Sequence, residues 1–157
     1  MTLPTYQYSG VCYVATANQT TFALTTDGGN AINYVSPSHI KVRTSADSGD
    51  TWTDLVLGTD WLFADPPVSV VLTTSVALGV AVDIYRETPL DPGFIEFKDG
   101  NLLTAEQLNT FNKWQLYIDQ EIFDRNLQQE EEIDDIDEIL DGLDAVSYTH
   151  LRAHETM

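Results

Sequence analysis

Carboxylates are the side chains in this sequence with the clearest potential for chemistry. Five aspartates stand at predicted strand ends or turns, and a glycoside hydrolase needs two carboxyl groups flanking the bond that it cleaves. Aspartate is also common at such positions because its side chain bonds the local backbone. No carboxylate pair or nucleophile–base pair stands out, so we predict no catalytic residues and no enzyme activity. The five are Asp54, Asp60, Asp65, Asp83 and Asp99.

Metal and cofactor sites are not indicated either. The acidic run 134–138 could suggest calcium, but an EF-hand loop needs a glycine at its sixth position and oxygen ligands at alternate positions. Here apolar residues recur at helical spacing and Gly142 is misplaced, which indicates the solvated face of a helix. His39 has no serine, cysteine or metal-binding partner at a suitable spacing. We predict neither a metal nor a cofactor.

The charge of the chain excludes two classes of partner. Its 157 residues carry a formal net charge of −18, and residues 119–144 alone hold twelve acidic residues and one arginine. Such acidity is repelled by nucleic acids and by anionic membranes. The longest apolar runs, 68–72 and 76–82, are too short to cross a bilayer. We therefore predict no nucleic acid and no membrane as partners, and the single cysteine, Cys12, permits no intrachain disulfide.

The first hundred residues have the pattern of short strands separated by turns. Residues 38–45 alternate apolar and polar side chains, which is typical of a half-buried strand. The segments 68–73 and 80–85 are the most hydrophobic, and we expect this pair of strands at the centre of the sheet. The sequence predicts a mainly β fold, a small β-sandwich or barrel-like domain, followed by a C-terminal α-helix.

The change from strands to helix is marked by a turn and a cap. Asp99-Gly100 is a turn dipeptide, and Thr104 with Gln107 forms a capping box, in which each side chain bonds a backbone N–H at the helix start. Leu103 and Leu108 occupy the positions of a hydrophobic staple. We predict that the helix begins at about Ala105.

The predicted helix carries two apolar frames that suit a coiled coil. Eleven residues separate Ile122 from Ile133, so we expect a stutter that interrupts the seam at 128–132. Isoleucine at both core positions of a heptad favours three or more strands. The first frame is Leu108, Phe111, Gln115, Ile118 and Ile122, and the second is Ile133, Ile136, Leu140 and Leu143. The predicted trimer seam comprises seven of these residues: Phe111, Ile118, Ile122, Ile133, Ile136, Leu140 and Leu143.

The last residues differ in kind from the rest. Residues 146–156 match the in-frame translation of a transposon-type sequencing adapter, so we interpret 145–157 as an assembly artefact. The natural gene is then expected to continue past Asp144. The predicted organisation is a β-rich domain at 1–103, a capped helix with the acidic start of a coiled coil at 104–144, and the artefact at 145–157.

An ordered set of residues runs from about residue 5 to residue 128. It begins upstream with Tyr6, Phe22-Ala23-Leu24, His39-Ile40-Lys41-Val42 and Gly58-Thr59-Asp60-Trp61-x-Phe63. Its main motif comprises Arg86, Thr88, Pro89, Phe97, Asp99, Gly100, Leu103, Thr104, Leu108, Asn109 and Glu121. This ordered set resembles the N-terminal, virion-anchoring domain of tail-fibre and tailspike proteins from T-seven-like short-tailed bacteriophages.

This resemblance implies a structural adaptor that fixes a fibre or spike to the virion tail for host attachment. It further implies a homotrimer, assembled in the bacterial cytoplasm and bound to the tail's tubular or adaptor proteins. Two alternatives stay open. The chain could be the anchor of a polysaccharide-depolymerase tailspike whose catalytic part is missing, or it could belong to an unrelated trimeric adhesin.

Overall fold

In a computed structural model, two antiparallel sheets are followed by one long helix. The structure describes residues 3–90, 100 and 102–155, with side chains described as far as Val146. One sheet has the strand order β1-β7-β3-β4 and the other has the order β2-β6-β5. The elements are β1 Gly10–Val14, β2 Gln19–Ala23, a 3-10 turn Pro37–His39, β3 Ile40–Ser45, β4 Thr53–Leu55, β5 Trp61–Phe63, β6 Ser69–Val76, β7 Ala81–Arg86 and α1 Ala105–Glu155.

The two sheets share one hydrophobic core. Alternation along β7 turns Val82 and Ile84 inward, and both are fully buried. Side chains from both sheets join them because each strand presents every second residue to the core. The fold prediction, mainly β with a C-terminal helix, is confirmed. The principal core residues are Val11, Phe22, Ile40, Val42, Trp61, Val70, Leu72, Val82 and Ile84.

The prediction that the two most hydrophobic segments pair at the centre of one sheet is wrong. They form β6 and β7, and these strands lie in different sheets, each between two neighbours. Their connection crosses between the sheets and is tied to the end of β1, where Gly79 N–H donates to the Ala15 carbonyl at 2.9 Å. Hydrophobicity therefore located each strand in a sheet interior, but it carried no information about which sheet.

The capping box is present, and α1 begins at Ala105 as predicted. The Thr104 N–H donates to Gln107 Oε1 at 3.1 Å, and the Gln107 N–H donates to Thr104 Oγ1 at 3.2 Å. Gly100 has a φ of +86°, which suits the predicted turn. Asp99 and Phe97 lie outside the described residues. Leu103 and Leu108 stay about half exposed.

Thr104→Ala is expected to lower the free energy of unfolding by about 1 kcal/mol, because the Gln107 N–H loses Thr104 Oγ1 as its capping acceptor. Gly100→Val should cost more, about 1–3 kcal/mol, because a β-branched residue is strained at positive φ. Nothing lies within 4 Å of a Cβ placed on Gly100, so this cost would come from the backbone and not from a collision. Urea denaturation measures the free energy of unfolding of both variants. If neither substitution changes it, this account of the turn and the helix start is wrong.

Helix α1 is continuous through residues 128–132, between the two apolar frames. A seam interruption therefore requires no break in the backbone. The helix also continues past Asp144, so the assignment of 145–157 to an adapter rests on the sequence alone and stays a prediction. Among the described residues, no helix is both long enough and apolar enough to span a membrane.

Candidate functional site

The joint between the sheets and α1 centres on Arg86, the last residue of β7. Arg86 is buried, and all three guanidinium nitrogens donate hydrogen bonds. Its Nε donates to Glu121 Oε1 at 2.8 Å, and its Nη1 donates to the Asn33 carbonyl at 2.7 Å. Its Nη2 donates to the Tyr117 carbonyl and to Gln120 Oε1. The Tyr117 ring lies 4.2 Å from the guanidinium carbon, a cation–π distance. One strand end is thus fixed to one turn of α1.

The Glu121 carboxylate joins Arg86 to the segment that follows β7. The Thr88 N–H donates to both carboxylate oxygens, at 3.1 and 3.0 Å, and the Thr88 hydroxyl donates to Oε1 at 2.6 Å. Such charge-assisted bonds are stronger than neutral ones. Three residues of the motif, Arg86, Thr88 and Glu121, therefore meet across more than thirty positions of sequence. The motif predicted these residues, and the structure shows that they form one contact.

Asp124, one turn beyond Glu121, holds the segment that leads into β1. Its buried carboxylate accepts from three consecutive amides: Gln7 at 2.8 Å, Tyr8 at 3.0 Å and Ser9 at 2.6 Å. The Ser9 hydroxyl also donates to it at 2.6 Å. Successive backbone N–H groups form a cradle for an anion. The sequence pattern assigned Asp124 no role of its own. Its spacing of three from Glu121, on the same helix face, was the available signal.

Further contacts extend the joint along the same face of α1. Gln128 donates to the Thr5 carbonyl at 2.9 Å, and the Thr5 hydroxyl donates to Glu131. Helix positions 117, 121, 124, 128 and 131 alternate in steps of four and three, so they share one face. The β domain is therefore bound by a largely polar stripe of the helix.

An aromatic contact lies at the end of the joint that is nearest the start of α1. The His39 and Trp114 rings meet edge to face, with centroids 5.1 Å apart. Trp114 Nε1 donates to the carbonyl of Pro89, another motif residue, at 3.2 Å. Burial lowers the pKa of His39, which favours the neutral ring. His39 was expected in a strand, but it is the last residue of the 3-10 turn Pro37–His39, directly before β3, where its ring packs on Trp114.

Two of the aspartates considered for hydrolysis, Asp83 and Asp60, have structural partners. Asp83 is buried beside Arg43, whose Nε lies 2.7 Å from Asp83 Oδ2, and the Tyr6 hydroxyl donates to the same oxygen. Burial raises the pKa of Asp83, and the Arg43 charge opposes that shift. Asp60 Oδ2 accepts from the Val56 N–H within a turn. Within the described parts of the chain, no group of three or more His, Cys, Asp or Glu side chains could hold a metal ion.

The residues predicted for a trimer seam do not form part of the joint. Ile118 is half-buried, and the other six are between 46% and 60% exposed. They lie on a different face of α1 from the stripe that binds the β domain. Asn109, also in the motif, is exposed in the first turns of the helix. The six are Phe111, Ile122, Ile133, Ile136, Leu140 and Leu143.

Comparison with known proteins identifies the family of this fold and joint. A comparison with curated protein sequences finds no significant match. The family described as the N-terminal domain of the phage T7 tail fibre protein matches residues 9–135. That range contains both sheets, Arg86, Thr88, Glu121 and Asp124. The chain therefore belongs to the family of phage T7 tail fibre N-terminal domains, and is a structural component of a phage tail fibre.

Proposed function

We propose that this chain is the adaptor that anchors a fibre or tailspike to the virion tail for host attachment. The observation that carries the proposal is the extent of the family match, which includes the β domain and the part of α1 that binds it. The chain is then assigned no catalytic role. Tail tubular or adaptor proteins are its proposed partners, and assembly takes place in the bacterial cytoplasm.

The joint supports this role because it fixes the direction of α1 relative to the β domain. A fibre must transmit force from its shaft to the tail, and a flexible linker would not hold the two in one orientation. Here Arg86 and Asp124 are buried, Glu121 is partly buried, and all three form hydrogen bonds with backbone groups. Networks of this kind are rigid when every member is satisfied.

Binding to fibreless particles tests the proposal. Phage particles assembled without the fibre protein are mixed with the purified chain, and particle-bound chain is measured by co-sedimentation. We expect saturable binding that blocks later attachment of the full-length fibre. Lysozyme at the same concentration controls for nonspecific trapping. Absence of saturable binding, or binding without competition, would contradict the anchoring role.

We further propose a homotrimer whose helices associate through the exposed apolar residues of α1. Residues 119–144 carry −11, so three parallel copies would bring −33 to one short shaft. Physiological salt screens the repulsion between charges more than about 8 Å apart, and lower salt screens it less. We therefore expect the copies to associate only weakly at low salt, where this repulsion is strongest.

The expected salt dependence follows from this charge. Raising sodium chloride from 20 mM to 500 mM should strengthen association, because repulsion is screened while burial of apolar side chains is kept. Sedimentation equilibrium across the salt series measures it. A tight trimer at low salt that dissociates as salt rises would show that charge attraction, and not the apolar stripe, holds the copies together.

A further inference from the structure

Two amide side chains fill the gap between the apolar frames of α1. From Ile122 the steps to Asn126, Gln129 and Ile133 are four, three and four residues, and alternation of three and four continues through Ile136, Leu140 and Leu143. Helix α1 is unbroken over this range. All seven side chains therefore lie along one stripe, with the heptad spacing of a coiled-coil core. The stutter expected at 128–132 does not interrupt this stripe. Asn126 and Gln129 are exposed, as are the five apolar residues from Ile122 to Leu143.

We propose that two further copies of this chain pack on this stripe, parallel and in register, with Asn126 and Gln129 as polar layers within the core. The proposal rests on the trimeric anchor suggested above and specifies its register. An amide inside an apolar core needs a hydrogen-bonding partner. The matching amides of the other copies supply that partner only when the chains are aligned. A polar core residue of this kind sets the register at a cost in stability.

Charge complementarity supports a second copy as the occupant. Arg125 precedes the Asn126 layer, and Glu130 follows the Gln129 layer. In a parallel coiled coil these flanking positions of adjacent chains face each other, five residues apart in sequence. Arg125 is the only basic residue of 119–144. Within the described part of the chain Arg125 forms no ion pair, since the ion pairs there join Arg43 to Asp83 and Arg86 to Glu121.

The other side of α1 is not available to a second copy at this level. Glu121, Asp124 and Gln128 bind the chain's own β domain through the contacts described above. If other copies pack on the stripe from Ile122 to Leu143, each β domain lies on the outside of the helical bundle. The β domains then remain accessible to the tail.

Disulfide trapping tests the register. In a Cys12→Ser background, Gln129→Cys and Leu143→Cys place thiols at two equivalent core positions, and Glu138→Cys places one on the outside. The native thiol is partly buried, and burial raises its pKa to about 12. After mild oxidation we expect covalent dimers from the Gln129 and Leu143 variants, but not from the Glu138 variant. An antiparallel arrangement would give dimers from one core position at most, which would overturn the proposal.

A charge exchange tests the Arg125–Glu130 contact. Arg125→Glu should weaken trimer association roughly tenfold, and adding Glu130→Arg should restore it. The control combines Arg125→Glu with Glu138→Arg, which restores the net charge without restoring the contact, and association should stay weak. Recovery in that control would refute the pair. The disulfide experiment also separates this proposal from the anchoring role. If neither Gln129→Cys nor Leu143→Cys gives covalent dimers while the chain still binds fibreless particles, the proposed register is wrong and the anchoring role is retained.

Discussion

Asp124→Ala is expected to lower the free energy of unfolding by about 3–4 kcal/mol. The substitution leaves the Ser9 amide and hydroxyl without their acceptor in a buried place, and the Gln7 and Tyr8 amides without theirs in a partly buried one. Each buried donor without a partner costs about 1–3 kcal/mol, and water entering the vacated space reduces the total. Urea denaturation at fixed protein concentration measures the change.

Asp134→Ala is the matched control, because it removes the same charge from an exposed position of the same helix. It should change the free energy of unfolding by less than about 0.5 kcal/mol. Hydrogen exchange adds a local readout: in the Asp124 variant the amides of Gln7, Tyr8 and Ser9 should lose protection, while those of β7 keep it. Equal stability of the two variants, with protection kept, would show that the carboxylate does not hold this segment.

Arg86→Ala is expected to cost about 3–5 kcal/mol, because it leaves the Glu121 carboxylate with little solvent access and without its cation. Glu121→Ala should cost a similar amount for the converse reason. The double variant should cost much less than the sum of the two, because a charge left without its partner is the main penalty in each single variant. Denaturation of all four proteins gives the coupling energy.

Lys113→Ala serves as the control for removal of a cation, since Lys113 is exposed on the same helix. Its effect should stay within about 0.5 kcal/mol. Additive losses for Arg86→Ala and Glu121→Ala would mean that the ion pair contributes nothing beyond its separate contacts. The joint would then depend on Thr88 and on the carbonyls of Asn33 and Tyr117.

The sequence alone determined those features that depend on neighbouring residues. Thr104 and Gln107 lie three positions apart, so their capping bonds form inside one turn, and the start of α1 was predictable to the residue. Gly100 accepts positive φ because it lacks a Cβ, which made the turn predictable as well. Period-two alternation identified strands, and the ordered motif identified the family.

Only the tertiary structure decided which strands pair and which polar groups meet. Segments 68–73 and 80–85 are both apolar, and the pattern of a strand does not specify its neighbours, so their separation into two sheets was not predictable. Asp124 looked like one of many acids on a solvated helix. Its role depends on amides more than one hundred residues away, because a carboxylate is stable when buried only where enough donors converge on it. The folded chain brings those donors together.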